Sequence, residues 1–545
     1  MGTSTTPSPS PLITCINVCV DGNVIARPLS YTVPLGLKVY PGDAVKVPFG
    51  TKIAYGIVLG SGDTKKATRP IIEVYPQRVS QQELDFAVSL ATQNFCEVSS
   101  IASRLAPRTG KSAPALNSGP VKLLKSGTIA GLGEIPPKIT RRYLLCAPLV
   151  DKTYLAAIEA QRLSKKGQVL ILCPTIKHVT ATTKHFASGV SSLDSLTSPG
   201  SWKGFSEGSL VVAVGTRTTA LYSAANLAAI IVVEEDHPAH KELRNPYTNA
   251  RDLAIARSNY QNCDLVLIGS CPTVHGLAGQ VKVFNVGSSK HWPTMIVSST
   301  KDQDPALEIP RQIATLVKKS ASIILVDNYT KLLCTSCKSP RRIKSRPGSL
   351  SFSVPTPCKI CGSNKVLQVN WDKTRALATF PTAIPCDLNE LAMMTPQPWT
   401  IVLPSFDRDL TYPHHLPEAK ALRNILTVAE AATAGGKVVI LTRTKSCLLL
   451  RDLVNRDLKT QARRTWALAK KANLPPLGLW VKITHKRKTA PRTKTWTGNN
   501  FRVLGPLRKS TGWESIIQVP VSERTNLAVL IAKIKKSGKV KVEIL

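Results

Sequence analysis

Gln168-Val-Leu-Ile-Leu-Cys173, Leu210-Val-Val-Ala-Val214, Ala229-Ile-Ile-Val-Val233 and Leu265-Val-Leu-Ile268 are continuous apolar runs with helical segments between them. A strand with one face in water alternates apolar and polar residues, so runs of this kind are buried on both faces. Strands buried on both faces and alternating with helices predict a parallel α/β sheet over residues 140–285. Outward from this sheet, Ile323–Val326 reads as a strand of a second α/β region, 286–436, interrupted by a cysteine-bearing insert at 330–366. After Gly435-Gly436 the pattern changes to an apolar run, a long helical stretch to about residue 473, Pro475-Pro476, then strands and a basic loop, read as a further domain over 437–545. On the N-terminal side, short runs (Ile13–Val20, Tyr31–Val33, Ala44–Pro48, Ile53–Leu59) separated by turn residues predict a β-rich domain over 12–110. A helix over Leu84–Leu105 closes it, and 111–139 is a linker.

The chain has 545 residues, enough for roughly three to five domains. Lys plus Arg number 72 against 34 Asp plus Glu, a formal charge of +38. That surplus points to a polyanionic partner, nucleic acid or an acidic membrane surface; the bland alternative is a solvated lysine-rich surface. No apolar run approaches the ~20 residues that span a bilayer, so no membrane association is expected. Met1–Pro11 is rich in Ser, Thr and Pro, lacks a basic n-region, and reads as a short disordered tail rather than a signal peptide. The thirteen cysteines are mostly isolated within apolar runs, as at Cys146, Cys173 and Cys263, which implies a reducing compartment and a cytoplasmic protein.

Three motifs carry chemistry. Cys334-x-x-Cys337 and Cys358-x-x-Cys361 are two thiolate pairs separated by twenty residues, the pattern of one tetrahedral zinc. Four thiolates leave no open coordination position, so the zinc is expected to be structural. The loop between the pairs carries Lys338, Arg341, Arg342, Lys344 and Arg346 and no acid. The second motif is an imperfect phosphate-binding loop, Cys146-Ala-Pro-Leu-Val-Asp151-Lys152-Thr153, with Lys152 and Thr153 in register but both glycines replaced. Such a loop turns backbone N–H groups toward phosphates in conformations that favour glycine, and Pro148 has no N–H to offer. The third is Ile230-Ile-Val-Val-Glu234-Glu235-Asp236-His237, an apolar strand ending in acids, the form of a magnesium-binding Walker B strand with Glu234 where Asp is usual. Read plainly, it is an acidic strand end.

Val211-Val-Ala-Val-Gly-Thr-Arg-Thr-Thr-Ala-Leu221, Asn226-Leu227 with the acidic strand, Pro246-Tyr-Thr-Asn-Ala-Arg-Asp-Leu253-Ala and Gly269-Ser-Cys-Pro-Thr273 together resemble the PriA (primosomal protein N′) replication restart family. Pro28-Leu-Ser-Tyr31-Thr-Val-Pro34, Val47-Pro-Phe-Gly50, Leu474-Pro-Pro-Leu477 and Val503-Leu-Gly-Pro506 extend the resemblance, in order, over nearly the whole chain. The resemblance implies a β-rich N-terminal domain that binds the 3′ end at a fork, two RecA-like lobes (140–285 and 286–436), a zinc insert in the second, and an α+β C-terminal DNA-binding domain. It implies forked or single-stranded DNA, primosome proteins, the replicative helicase or its loader, and single-strand DNA-binding protein as partners, and a nucleoid-associated location. At the fork end it implicates Tyr31 and Arg69, while Ser30 stands where the family has the Asp that reads the terminal base.

The departures point to the degenerate subgroup that lacks helicase motifs. Residues 363–434 contain no glycine and no Gly-Arg pair follows, so the glycine and arginine-finger motifs of the second lobe are missing. Arginine fingers alone supply about 10³–10⁵ in rate, so Lys152, Thr153, Glu234 and Glu235 read as vestigial, no catalytic residue is expected, and ATP binding is in question. Only two of the family's four cysteine pairs are present, hence one zinc. Without a motor, binding carries the function. Residues 482–513 hold Lys486, Arg487, Lys488, Arg492 and Lys494 among other bases, no acid, and Trp496, a composition suited to phosphates and exposed bases. The bland alternative is a solvated loop with core aromatics. The expected function is fork recognition and primosome assembly without helicase activity. The alternatives are an ATP-dependent 3′–5′ DNA helicase with divergent motifs and a general single-stranded nucleic-acid binder.

Overall fold

The structure, a computed structural model, describes residues 15–20, 27–105, 120–124, 141–192, 199–287, 292–299, 311–325, 331–337, 340–341, 357–358, 360–369, 373–391, 394–404, 406–411, 416–433, 435–444, 446–486, 489–496, 500–509, 512–536 and 540–545. The expected N-terminal tail, most of the 111–139 linker, and Arg487 and Lys488 lie outside the described residues. The chain forms two compact units: residues 1–126, 153–267 and 542–544, and residues 127–152, 268–541 and 545.

The first unit begins with an antiparallel five-stranded sheet in the order Leu29–Thr32, Cys15–Val20, Lys52–Ser61, Asp43–Phe49, Glu73–Arg78. Inward-facing Ile16, Val18, Tyr31, Val45, Val47 and Val58 form its core. The sheet closes on itself. Thr32 N–H donates to Arg69 O and Ile71 N–H to Thr32 O, while Ile72 N–H donates to Lys46 O, so the 69–72 segment joins the two edges. Closure removes the unpaired edges that would otherwise invite other strands. The helix expected over 84–105 is two helices, Gln81–Gln93 and Ser99–Ala102. The first starts on a capping box, in which Ser80 accepts from Glu83 N–H and Glu83 accepts from Ser80 N–H. Its apolar periodicity runs on past the break because Phe95, at φ +52°, turns the chain while still burying its ring.

The same unit contains the parallel strands read from the apolar runs, in the order Val190–Ser192, Val212–Gly215, Gln168–Leu172, Leu227–Val233, Asp264–Gly269, with the last two residues of the final strand assigned to the second unit. Every residue of Gln168–Leu172 and of Asp264–Gly269 is buried, as burial on both faces requires.

In the second unit, a parallel sheet runs Thr294–Ser299, Lys437–Thr442, Thr400–Leu403, Ser322–Leu325, Ile384–Cys386. The strand Lys437–Thr442 corrects the domain boundary drawn after residue 436. It pairs on both sides, with Thr294–Ser299 and with Thr400–Leu403, and so belongs to this sheet. The helix Pro417–Ala432 packs its apolar face into the same core through Leu422, Ile425 and Val428. Gly435-Gly436 is the turn between that helix and that strand: Gly435 takes left-handed geometry at φ +85°, and a Cβ on Gly436 would meet Ala432 O at 2.1 Å. Further along, an antiparallel sheet places Gly512–Pro520 between Arg502–Lys509 and Gly478–His485, and the helix Arg524–Lys536 follows. Among the described residues no helix is long and apolar enough to cross a membrane.

Candidate metal centre and nucleic-acid interface

Cys334 ends the strand Lys331–Cys334, which pairs with Pro340–Arg341 and with Val366–Val369 in a small antiparallel sheet. The pairing Cys334↔Val366 brings the distant second cysteine pair to the first. Gly362, at φ +72°, donates its N–H to Cys358 O, closing the tight turn between the last ligands. Cys334 Sγ lies 3.4 Å from Cys361 Sγ, and Cys337 Sγ lies 3.6 Å from Cys358 Sγ. All four sulfurs fall within 4.8 Å of one another. A tetrahedron with metal–sulfur bonds of about 2.3 Å has sulfur–sulfur edges of about 3.8 Å, so the cluster can hold one metal ion. Of the basic residues between the pairs, Lys338, Arg342, Lys344 and Arg346 lie outside the described residues.

The phosphate-loop motif has the expected strand-to-helix placement, between Arg142–Cys146 and the helix Lys152–Leu163. Leu149, between the two replaced glycine positions Cys146 and Asp151, sits at φ +62°, left-handed geometry that a β-carbon disfavours. Lys152 is 6% exposed and its ammonium lies 2.6 Å from Glu430 Oε1. Ser270 Oγ donates to the same oxygen at 2.7 Å. The sequence reading missed Glu430, whose place on an amphipathic helix carries no mark of this role. Thr153 Oγ1 is 2.9 Å from His185 Nε2.

The acidic strand end divides into two environments. Glu234, at φ +49°, reaches His178 Nε2 at 3.5 Å and stays partly exposed. Glu235 is fully buried, and Arg251 NH1 donates both to its carboxylate at 3.2 Å and to its carbonyl at 3.3 Å. Burial opposes the charge of Arg251, but Asp252 and Glu235 outweigh it and hold the guanidinium above its ordinary pKa. Beside this strand, His240 accepts burial as a neutral ring on Val233 O at 2.9 Å, and desolvation pushes its pKa down to about 4.

In the closed N-terminal sheet, Ser30 Oγ donates to Asn17 Oδ1 at 2.8 Å and accepts from Asp63 N–H at 3.2 Å. Tyr31 is 4% exposed, with its ring in the core and its hydroxyl on Pro48 O at 3.1 Å. Arg69 is exposed and donates to Gly50 O at 2.8 Å. The expected pocket residues thus share one end of the domain, with Arg69 facing solvent and Tyr31 packed inward.

In the C-terminal sheet, register puts Trp480, Gln518 and Arg502 in one row and Lys482, Ile516 and Leu504 in the next, on the face opposite the buried Val481, Ile483 and Ile517. Lys486 and Arg492 are exposed. Trp496 was expected to meet bases, but it is 8% exposed and stacks on His485, with ring centroids 5.3 Å apart. Its ring face is therefore covered by the imidazole. Arg508 lies over Trp513 at 5.8 Å. Lys494 is placed in the short helix Thr493–Thr495.

Residues 17–107 match the PriA 3′ DNA-binding domain (3′BD) family. Replication restart protein PriA of Rickettsia conorii is 24% identical over 304 residues, which cover 52% of this chain and 46% of the relative. Its Bacillus subtilis counterpart is 29% identical over 147 residues, 25% of this chain and 18% of the relative. The chain thus matches less than half the length of either relative. Among solved structures, S. cerevisiae Dbp5 bound to RNA and ADP BeF3 aligns over 60% of this chain and 83% of its own at 12% identity, and its TM-score of 0.31 is too low to bear on the fold. Residues 17–107 thus carry the fold family of the PriA 3′ DNA-binding domain, and about half of the chain is similar to replication restart proteins PriA.

Proposed function

We propose that the protein binds abandoned or stalled replication forks and promotes primosome assembly and reloading of the replicative helicase, without unwinding DNA itself. The observation that carries the reading is the 3′ DNA-binding domain at 17–107. The charge of +38 supports a DNA partner. Loss of the motor is supported by Cys146 and Asp151 in place of the loop glycines, by the commitment of Lys152 to Glu430, and by the glycine-free stretch 363–434. The second lobe is read as RecA-like and its insert as a structural zinc site on Cys334, Cys337, Cys358 and Cys361. The partners are the primosome proteins, the helicase or its loader, and single-strand DNA-binding protein.

The test is fork binding by fluorescence anisotropy at one salt concentration, beside a DNA-stimulated ATPase assay. The reading expects forked DNA to bind more tightly than single-stranded DNA or RNA, and no ATP turnover above background. Equal affinity for all three nucleic acids, or turnover that disappears in Lys152→Ala, would overturn it. Capping the leading-strand 3′ hydroxyl reports whether the N-terminal domain reads the end: with Ser30 already bonded to Asn17 and Asp63, the cap is expected to change fork affinity little.

A further inference from the structure

Lys152, Ser270 and Glu430 all belong to the second unit, and they meet at one oxygen. Glu430 Oε1 receives the Lys152 ammonium at 2.6 Å and the Ser270 hydroxyl at 2.7 Å. The lysine is buried, while the Glu430 side chain keeps 27% of its surface. A carboxylate oxygen taking one ammonium and one hydroxyl donor is in the situation of a phosphate oxygen in a working loop. The three residues come from three separate segments: the first turn of Lys152–Leu163, the end of the strand Asp264–Gly269, and the last turn of Pro417–Ala432.

We infer that Glu430 is a built-in anion that holds the phosphate-binding lysine and shuts the site to nucleotide. A phosphate chain arriving at Lys152 has either to displace this carboxylate or to sit beside a second negative charge. Both weaken binding, and the partial burial of the pair keeps solvent from screening the repulsion. Leu149, at φ +62°, still places one left-handed residue in the loop, the geometry from which consecutive N–H groups can converge on an anion. The loop is therefore blocked as well as degraded, and removing the block is expected to uncover residual polyphosphate affinity. Nothing in this requires hydrolysis, which depends on the missing glycines and arginines.

The inference rests on the reading of the protein as a helicase-like frame without a motor, and the experiment separates the two. Binding of a fluorescent ATP analogue, with tripolyphosphate as competitor, is measured for the full chain, for Glu430→Gln, and for Lys152→Met combined with Glu430→Gln. Glu430→Gln keeps the shape and removes the charge, and is expected to bind at least about tenfold more tightly than the wild type. The double variant is expected to lose that gain, and tripolyphosphate is expected to compete. If Glu430→Gln does not fold, Glu430→Ala, which also removes the charge at this partly exposed position, is measured in the same way and is expected to show the same gain. Equal affinity in wild type and charge-altered variants, whether both bind or neither does, overturns the plug and leaves the motor-free reading standing. ATP turnover by the wild type overturns the motor-free reading itself.

Discussion

Arg257 NH2 lies 3.5 Å from Glu83 Oε1, and the two side chains are 2% and 5% exposed. Glu83 is the carboxylate of the capping box that starts Gln81–Gln93, and its Oε1 also accepts from Ala224 N–H at 3.2 Å. Arg257 donates to Ala220 O at 3.0 Å and to Gln261 Oε1 at 2.7 Å. One ion pair therefore fixes the 3′ DNA-binding domain to the helix Ala250–Gln261 within the first unit. Burial pushes the Arg257 pKa down, which marks how costly an unpaired guanidinium would be here. Glu83→Ala strands that charge and removes the cap, and is expected to destabilise the protein by about 3–5 kcal/mol. Glu83→Leu with Arg257→Met is expected to recover most of the loss, because an apolar pair carries no desolvation penalty. Urea denaturation of the three proteins checks this, and a loss under about 1 kcal/mol in Glu83→Ala would show that the pair is solvated in solution.

His240 gives the first unit a pH dependence. Desolvation lowers its folded pKa from 6.5 to about 4, with the Val233 carbonyl opposing through a hydrogen bond. The unfolded chain then binds the proton more readily than the folded one, so stability rises with pH across this window. The contribution is fully present above pH 6.5 and is lost as pH falls toward 4, by roughly 3 kcal/mol at most. His240→Gln, which keeps an N–H donor toward Val233 O and cannot titrate, is expected to flatten that part of the profile. Equal slopes for wild type and variant between these limits would show that other groups dominate the acid loss.

The sequence made some of this legible and hid the rest for physical reasons. The parallel strands were readable because burial on both faces forces an unbroken apolar run, as in Gln168–Leu172. The cysteine cluster was readable because chelation fixes the local spacing. The boundary after residue 436 was misread because paired glycines mark a turn without saying whether a domain ends there, and only the pairing of Lys437–Thr442 on both sides decides it. Glu430 and Lys152 are 278 positions apart, and no local pattern links them. Trp496 looked available for stacking because composition reports aromatic content and not the imidazole of His485 that covers it.

The metal centre makes a stoichiometric prediction. Metal analysis of the purified chain is expected to find one zinc, and Cys358→Ser is expected to weaken its retention, because Cys358 Sγ, 3.6 Å from Cys337 Sγ, is one of the four thiolates of the cluster. A closed four-thiolate site gives no catalytic function to lose. Chelation is therefore expected to loosen the insert around 331–369, read as increased proteolysis there, while the sheet containing Lys437–Thr442 stays folded. Two zincs per chain, or none, would contradict the reading of these four cysteines.

The C-terminal sheet supplies the last prediction. Lys486 and Arg492 are exposed, and Arg502 projects from the sheet face opposite the buried Val481 and Ile517. If these residues neutralise phosphates, each contact releases counterions, and the slope of log affinity against log salt carries about 0.9 per phosphate on duplex DNA. Replacing all three with alanine is expected to make that slope shallower by roughly 2–3 and to weaken fork and single-strand binding alike, since phosphate contacts carry no sequence or structure preference. Trp496→Ala is expected to act differently. Its ring packs on His485, so the variant is expected to lose thermal stability before it loses DNA affinity at low temperature. An unchanged salt slope in the triple variant would move the DNA path away from this sheet, whereas a Trp496→Ala protein of unchanged stability and lower affinity would show that the ring leaves His485 to meet a base.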